Sequence, residues 1–194
     1  MVSVLPHEVR ETGQDDEKCR KYLQSVDSES APGRIVPLVH EMMAEKFNGI
    51  VDDYDWTFCQ IQYNFMDIEY QAGTRGLQYA AKKGLAVVIM EPLRGGQLTA
   101  KIPKSVNELW ESAIARRTPA DWALQWIWDH AEVSVLLSGM STMEQVIENL
   151  DSADRAEAGT LSKEELTLID KVREEYRRIS PIPCTNCKYW NYQN

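Results

Sequence analysis

The sequence has too few cysteines for a disulfide scaffold, fewer basic than acidic residues, and no long apolar run. Its four cysteines are scattered apart from one Cys-x-x-Cys, which indicates thiols or a metal site in a reducing compartment rather than a disulfide framework. No apolar stretch approaches the roughly 18 to 20 residues that cross a bilayer, and MVSVLPHEVR lacks the order of a signal peptide. We therefore expect a cytoplasmic protein without a membrane segment.

The shortage of basic residues excludes a further class of partner. The 21 Lys and Arg against 30 Asp and Glu give a formal net charge of −9, which repels the phosphates of nucleic acid where no basic face compensates. Hydrophobic residues make up 43% of the chain, as in an ordinary folded domain and unlike a disordered or fibrous chain. We expect one domain over residues 1–194 that does not bind nucleic acid.

The apolar pattern is weak over residues 1–56 and sharp from residue 57 onward. In the first part, a short run at Arg34–Val39 is interpreted as a strand or strand end, and helical spacing follows from Met42 to Val51. In the second part, the predicted strands are Phe58–Tyr63, Leu85–Met90 and Val133–Leu137. The middle strand is apolar throughout, which predicts burial on both of its faces.

Helical segments separate these strands, and several of them begin with a sequence pattern typical of a helix N-terminus. A hydroxyl residue followed three positions later by Glu predicts capping boxes at Ser105, Ser141 and Ser162, and Thr118 before Pro119 predicts a fourth helix start. Alternating strands and helices imply a parallel sheet, either doubly wound or a piece of a (β/α)8 barrel. Because only three or four strands are recognisable and a closed barrel needs eight, we expect an α/β fold that is part of a barrel.

In parallel α/β folds, ligands bind at the carboxyl ends of the strands. After Val133–Leu137 comes a Ser138-Gly139 turn, then Ser141 and Thr142 at a helix start, where backbone N–H groups and the helix dipole suit a phosphate. The alternative is that Ser141 only caps its own helix.

The other two predicted strands offer two further candidate contacts with a ligand. The loop EPLRGG after Met90 has two glycines that allow close backbone approach, and Arg94 offers a charge-assisted contact. Gln60 and Gln62 flank Ile61, and we expect one to point into the barrel and the other to face the helices. A buried glutamine satisfied within the protein is the alternative.

Five segments together resemble the C-terminal half of the aldo/keto reductase family. They are FCQIQYN, GLQYAAKKGLAVVIMEPLRGG, TPADWALQWIWDHAEVSVLLSGMSTMEQVIENL, LSKEELTLIDKVREEY and IPCTNCKYW, in this order over residues 57–190. The nearest branch ends in a cysteine-rich, ferredoxin-like segment. The resemblance implies strands six to eight of a (β/α)8 barrel within residues 57–180, and a cysteine tail over 181–194. It also implies hydride transfer between a carbonyl compound and NADP(H), with NAD(H) as the alternative cofactor.

The resemblance also implies roles for individual residues. Gln60 would hold the nicotinamide carboxamide, and Met90 would cover the nicotinamide ring. The loop along the pyrophosphate would be Glu91, Pro92, Leu93 and Arg94. The segment around the adenosine phosphates would be Gly139, Met140, Ser141 and Thr142, and the adenine would be approached by Gln145, Asn149 and either Glu144 or Glu148.

The catalytic groups of the family are largely missing. Its Asp, Tyr and Lys have no counterpart, and His7, in the loosely matched VSVLPHEV, is the one candidate for its histidine, while GRIVPLVHEM is matched to a degraded fifth strand. Losing a positioned proton donor typically lowers a rate by about 10²- to 10⁴-fold. We expect a truncated and catalytically impaired oxidoreductase.

Two other hypotheses stay open. A half barrel would have open sheet edges and an uncovered inner face, so a noncatalytic half barrel that self-associates or completes its barrel with a partner is the alternative, and a homo-oligomer is expected. Cys184 and Cys187 match the first two cysteines of the iron–sulfur segment, but Trp190 stands where the third is expected. Because a cluster takes four thiolates, none is expected, which leaves a small metal site, exposed thiols or a reversible disulfide.

Overall fold

The computed structural model describes the backbone of residues 31–41 and the backbone and side chains of residues 42–179. The chain divides into two compact units, Met1–Glu41 and Met42–Asn194. In chain order the elements are α1 (Ala31–Asp52), β1 (Phe58–Gln62), α2 (Gly73–Lys82), β2 (Ala86–Met90), α3 (Lys104–Glu111), α4 (Pro119–Trp128), β3 (Val135–Leu136), α5 (Met143–Ala153) and α6 (Lys163–Ile179). None of the helices within residues 31–179 combines the length and the apolar character needed to cross a bilayer. The single-domain assignment of residues 1–194 stays a prediction.

The prediction of a strand at Arg34–Val39 is wrong, because these residues belong to helix α1. The interpretation of GRIVPLVHEM as a degraded fifth strand fails with it. Apolar residues recur at every fourth position from Ile35 to Val51, which is the spacing of one helix face. The helix predicted from Met42 therefore starts at Ala31, about three turns earlier than expected.

The three strands form one parallel sheet in the order β1-β2-β3, which confirms the predicted parallel arrangement. Gln60 of β1 is paired with Val88 of β2, and Val88 with Val135 of β3. Strand β3 is shorter than the predicted Val133–Leu137. Backbone bonds from Ser134 N to Val87 O and from Leu137 N to Ile89 O, both 2.9 Å, continue its pairing by one residue at each end.

Helices cover only one face of the sheet. On that face Ile61, Val87 and Ile89 are buried, whereas Met90 on the opposite face is 38% exposed and Val135 is 47% exposed. The prediction that β2 is buried on both faces is therefore wrong. Its apolar run looks doubly buried because the inner face of a barrel strand is apolar even where no other strands stand opposite it.

The open face also carries both strand glutamines. Gln60 and Gln62 are two residues apart, so they point to the same side, and the prediction that they face opposite layers is wrong. Gln60 is exposed and Gln62 is half-buried. Both amides therefore belong to the surface that a complete barrel would enclose.

Aromatic side chains fill the core between the sheet and the outer helices. Trp122 is fully buried and stacks on Trp110, with ring centroids 5.4 Å apart and planes inclined by 11°. The Arg117 guanidinium also packs on Trp122, 4.4 Å from the ring centroid. These two tryptophans therefore pack the core between neighbouring helices.

Two of the four predicted helix starts are confirmed. Thr118 Oγ1 accepts from Asp121 N at 3.1 Å, and Ser162 shares a reciprocal pair of bonds with Glu165. The other two predicted starts are each wrong by one or two positions.

For α3, the N-cap is Pro103, which makes no side-chain bond, so Ser105 is already the second helical residue. For α5, the N-cap is Thr142 rather than Ser141. At the start of α5 the capping pattern occurs twice, because Ser141 precedes Glu144 by three residues and Thr142 precedes Gln145 by three. The loop geometry decides that Thr142 is the cap.

Helix α2 packs closely on α1, and this contact predicts opposite effects of two glycine substitutions. A Cβ at Gly76 would lie 2.7 Å from Ala72 Cβ and 2.9 Å from Phe47 Cδ1, so Gly76→Ala should lower the free energy of unfolding by about 1–3 kcal/mol. Gly49 has no atom within 4 Å of such a Cβ, so Gly49→Ala in α1 should raise it by about 0.5–1 kcal/mol. Urea denaturation measures both, and equal effects of the two substitutions would contradict this packing.

Candidate functional site

The carboxyl ends of the three parallel strands lie at one edge of the sheet, and the loops that follow them meet there. A cavity of about 380 Å³ lies between the loop after β2 and the loop after β3, closed on one side by the first turns of α5. Its lining includes the predicted cofactor residues Glu91, Pro92, Leu93, Gly139, Met140, Gln145 and Asn149, together with Glu148. The other five predicted residues, Gln60, Met90, Arg94, Ser141 and Thr142, are not part of this lining.

Gln60 and Met90 lie together on the open face of the sheet. Gln60 Nε2 donates to Met90 Sδ at 3.2 Å, across the pair of neighbouring strands β1 and β2. A thioether is a weak acceptor, so this bond competes poorly with a ligand carbonyl for the amide N–H. The two residues predicted to hold one ring of a cofactor are therefore in contact with each other.

A buried asparagine joins the loop after β1 to the loop after β2. Asn64 is fully buried, and its Oδ1 accepts from the backbone N–H groups of Met66 and Asp67, each at 3.0 Å. Its Nδ2 donates to Glu91 O and to Asp67 Oδ2, both at 3.1 Å. Because every polar group of this side chain is satisfied by the two loops, Asn64 fixes their relative positions.

Asp67 holds the arginine that the resemblance places beside a pyrophosphate. Arg94 Nε lies 3.3 Å from Asp67 Oδ2, which also accepts from Gln62 Nε2 at 3.3 Å. The Arg94 side chain is 23% exposed and that of Asp67 is 12% exposed, so solvent screens this ion pair only partly. The charge of Arg94 is thus directed to a carboxylate of the neighbouring loop.

The loop after β2 has an unusual backbone. Glu91 and Arg94 adopt positive φ angles of 56° and 53°, and Gly95 and Gly96 adopt 62° and 81°. The left-handed conformation costs a residue with a Cβ roughly 1–2 kcal/mol, whereas glycine adopts it freely. The hydrogen bond from Asn64 to the Glu91 carbonyl helps to hold the loop in this conformation.

The start of helix α5 is satisfied by its own side chains. Gln145 Oε1 accepts from Ser141 N at 2.8 Å, from the Ser141 hydroxyl at 3.2 Å and from Thr142 N at 3.3 Å. In return, Gln145 N donates to Thr142 Oγ1 at 3.3 Å, which completes a capping box. The donors predicted to bind a phosphate therefore point at the Gln145 amide oxygen.

Two carboxylates lie near this helix start. Hydrogen bonds from its own backbone N–H and from the Thr142 hydroxyl lower the pKa of the exposed Glu144, so this residue is ionised at neutral pH. Glu148, one turn further along, is half-buried in the cavity wall and accepts a hydrogen bond from the Thr118 hydroxyl. Asn149 Nδ2 donates to Ser138 Oγ at 3.0 Å and ties α5 to the end of β3.

The residue types of the missing catalytic groups occur together elsewhere in the molecule. The Tyr79 hydroxyl donates to Asp52 Oδ2 at 2.6 Å, and Lys83 Nζ lies 2.5 Å from Asp52 Oδ1. Lys83 lowers the pKa of Asp52, and Asp52 in turn raises the pKa of Tyr79. This exposed cluster joins the end of α1 to the end of α2, at the amino-terminal edge of the strands and away from the cavity.

Three predicted residues, His7, Cys184 and Cys187, lie outside the described residues. Within residues 31–179, no group of three or more His, Cys, Asp or Glu side chains is arranged to hold a metal ion.

Sequence reasoning missed Asn64 and Asp67, which organise the site without lining the cavity. The available indication was an Asx pattern: an asparagine directly after a strand, with an acidic residue three positions on, in YNFMD.

With this geometry established, comparison with known proteins identifies the class. The fold is a parallel α/β half barrel with its site at the carboxyl edge, and the model of the aldo/keto reductase family matches residues 44–174. The chain belongs to the aldo/keto reductase family.

Solved structures agree on the fold. The holo form of aldo-keto reductase AKR11C1 from Bacillus halodurans is similar with a TM-score of 0.50 and 23% identity, over 64% of this chain and 46% of that chain. The apo form gives the same TM-score and identity over 64% and 47%. The chain thus spans about half the length of these relatives, and the predicted partial barrel is confirmed. No curated protein sequence matches it significantly.

The contact between the loop after β1 and the loop after β2 depends on the N–H donors of the Asn64 amide. Asn64→Asp keeps the shape but sets acceptor oxygens against the Glu91 carbonyl and the Asp67 carboxylate, so we expect the free energy of unfolding to fall by about 2–4 kcal/mol. Asn107→Asp, on the exposed surface of α3, should change it by less than about 1 kcal/mol. Thermal denaturation at neutral pH compares the two, and an Asn64→Asp protein as stable as the wild type would refute the role of Asn64.

Proposed function

We propose that residues 57–179 bind a nicotinamide dinucleotide and serve an oxidoreductase reaction that transfers hydride between the cofactor and a carbonyl or alcohol. The single observation that carries this proposal is the convergence of the loops after β2 and β3 on one cavity lined by residues predicted from the sequence. Family membership supports the reaction class.

The residues present fit such a cofactor. A cavity of about 380 Å³ falls within the roughly 300–1,000 Å³ of small-molecule sites, and the backbone approaches it closely at Gly95 and Gly96. Gln60 would hold the carboxamide, Met90 would lie against the nicotinamide ring, and the cavity would hold the adenosine end. When bound, the cofactor supplies the hydride.

Delivery of a proton is the weak step of the proposed reaction. Carbonyl reduction needs a donor for the nascent alkoxide, and the Asp52, Tyr79 and Lys83 cluster lies at the wrong edge of the sheet to provide one. Tyr63, at the end of β1, is buried and bonded to the Thr74 hydroxyl at 2.8 Å. We therefore propose that residues 57–179 by themselves hold the cofactor and catalyse slowly, about 10²- to 10⁴-fold below a site with a positioned donor.

Titration of NADH and NADPH against the protein's tryptophan fluorescence tests cofactor binding. Gln60→Ala should lower the affinity for the more tightly bound of the two cofactors by about 5-fold, because it removes one hydrogen bond of about 1 kcal/mol. Gln78→Ala, on the exposed surface of α2, is the matched control and should leave the affinity unchanged. The absence of binding at millimolar concentrations of both cofactors would defeat the proposal.

A second candidate function is that of a noncatalytic half barrel completed by another chain, and the uncovered face of the sheet favours it. Phe58 is 57% exposed, Val135 47% and Leu137 45%, so an apolar surface remains open where further strands of a barrel would stand. Helix α5 continues this surface with a row of exposed residues at helical spacing: Met143, Ile147 and Leu150. The partner that we propose is a second copy of the chain or a polypeptide that supplies the remaining strands.

Size-exclusion chromatography with light scattering tests this second function. The wild-type chain should form a dimer or larger assembly at micromolar concentration, and Val135→Asp should shift it toward monomer because the charge lies in the open apolar face. Ile114→Asp, at a fully exposed residue outside that face, should have no effect. A wild-type monomer at every concentration would count against the half-barrel hypothesis.

A further inference from the structure

We infer that Met90 is a site of reversible oxidation by a peroxide, and that the Gln60 amide binds the resulting sulfoxide oxygen and is thereby withheld from a ligand. This inference rests on the proposed function, because it concerns the regulation of the same dinucleotide site. Its basis is the contact between an exposed thioether and an amide donor on the open face of the sheet.

The Met90 sulfur lies where a small oxidant reaches it. The residue is 38% exposed at the carboxyl end of the central strand β2, on the open face of the sheet. Two other exposed methionines, Met140 and Met143, lie at the start of α5. Of these three described residues, only Met90 has a sulfur that accepts a hydrogen bond. Oxidation of Met90 therefore changes an existing polar contact, whereas oxidation of the other two only adds a polar atom.

The oxidation transfers one oxygen atom and two electrons. A sulfur lone pair attacks the terminal oxygen of hydrogen peroxide or of an organic hydroperoxide, so the S–O bond forms as the O–O bond breaks. The sulfur loses two electrons, and the proton of the transferred oxygen passes to the leaving oxygen, which departs as water or an alcohol. Methionine sulfoxide reductases reverse the step: two thiols and the sulfoxide give the thioether, a disulfide and water.

The sulfoxide strengthens the contact with Gln60. A thioether is a weak acceptor, so the N–H that Gln60 Nε2 donates to Met90 Sδ at 3.2 Å is weakly held and open to exchange. The sulfoxide oxygen carries a partial negative charge, and the flexible methionine side chain can turn it toward the amide. Oxidised Met90 therefore competes with a nicotinamide carboxamide oxygen for this N–H group.

The described cysteine is a poor competitor for the oxidant. Cys59 is half-buried, and burial raises the pKa of its thiol to about 11. Because the thiolate is the form that attacks a peroxide, this thiol reacts slowly at neutral pH. Disulfides and sulfenic acids formed at Cys184 and Cys187 are reduced by dithiothreitol, which leaves methionine sulfoxide in place.

Calorimetric titration of the full chain before and after oxidation tests the inference. The protein is treated with hydrogen peroxide and then with dithiothreitol, and mass spectrometry confirms the sulfoxide at Met90. Oxidation should lower the affinity for the more tightly bound of NADH and NADPH by about 5-fold, because the carboxamide loses one hydrogen bond, and a sulfoxide reductase should restore it. ADP lacks the nicotinamide, so its affinity reports oxidation of Met140 in the cavity wall, and the cofactor-to-ADP affinity ratio isolates Met90.

Three variants assign the effect to the Met90–Gln60 contact. Met90→Leu keeps an apolar side chain of similar volume without sulfur, so peroxide should change its affinity ratio by less than about 2-fold. Met143→Leu removes a more exposed methionine outside the cavity lining, so it should respond to peroxide as the wild type does. Gln60→Ala lacks the amide donor, so peroxide should lower its affinity ratio by less than about 2-fold.

The outcomes separate this inference from the proposed function. An unchanged affinity ratio in wild-type protein oxidised at Met90 would overturn the inference, as would equal losses in the wild type and in Gln60→Ala, or a Met90 left intact while Met143 is oxidised. If the untreated protein binds no cofactor, the proposed function fails, and the side-chain amide resonance of Gln60 decides the inference by nuclear magnetic resonance. Oxidation of Met90 should shift this resonance, which is absent from Gln60→Ala, and a constant position would overturn the contact.

Discussion

The parallel register of the three strands is the constraint on which the rest of the structure depends. Gln60, Val88 and Val135 stand side by side, so all three strands end at one edge, and the loops after β2 and β3 meet in a cavity there. Parallel strands require a crossover between them, and the helices of these crossovers cover only one face. The same constraint therefore creates both the cavity between the loops and the open apolar face.

The loops that meet at this edge are stabilised by buried polar contacts. Asn64 forms hydrogen bonds with backbone groups of two loops. One carboxylate oxygen of Asp67 accepts hydrogen bonds from the amides of Asn64 and Gln62 and forms an ion pair with Arg94. Such a network is favourable only when every polar group in it is paired. Here Arg94, the cationic residue of the loop after β2, is paired with the Asp67 carboxylate. The order of the loops and the pairing of Arg94 with a carboxylate thus have a common cause.

The open face links stability to the proposed catalysis in this half barrel. Met90 and Gln60 lie on the surface where the remaining strands of a family member would stand, so the nicotinamide end of the proposed site is exposed, whereas the adenosine end lies in a cavity between two loops and α5. A chain that covered this face would bury apolar surface and shield the reacting groups from water together. Asp52, Tyr79 and Lys83 show that residue types alone do not make a catalytic site, because their contacts serve the packing of two helices at the opposite edge.

The sequence by itself determined the order and type of the elements from residue 57, the Thr118 and Ser162 helix starts and most of the cavity lining. These features depend on periodicity and on neighbours within a few residues, which a sequence displays directly. Only the tertiary structure decided that one sheet face stays open, that Arg94 pairs with Asp67 and that Gln145 takes the donors of Ser141 and Thr142. The open face and the Arg94–Asp67 pair depend on which distant segments lie opposite each other. The contacts of Gln145 depend on the loop geometry that makes Thr142 rather than Ser141 the cap. None of these three features is fixed by local spacing.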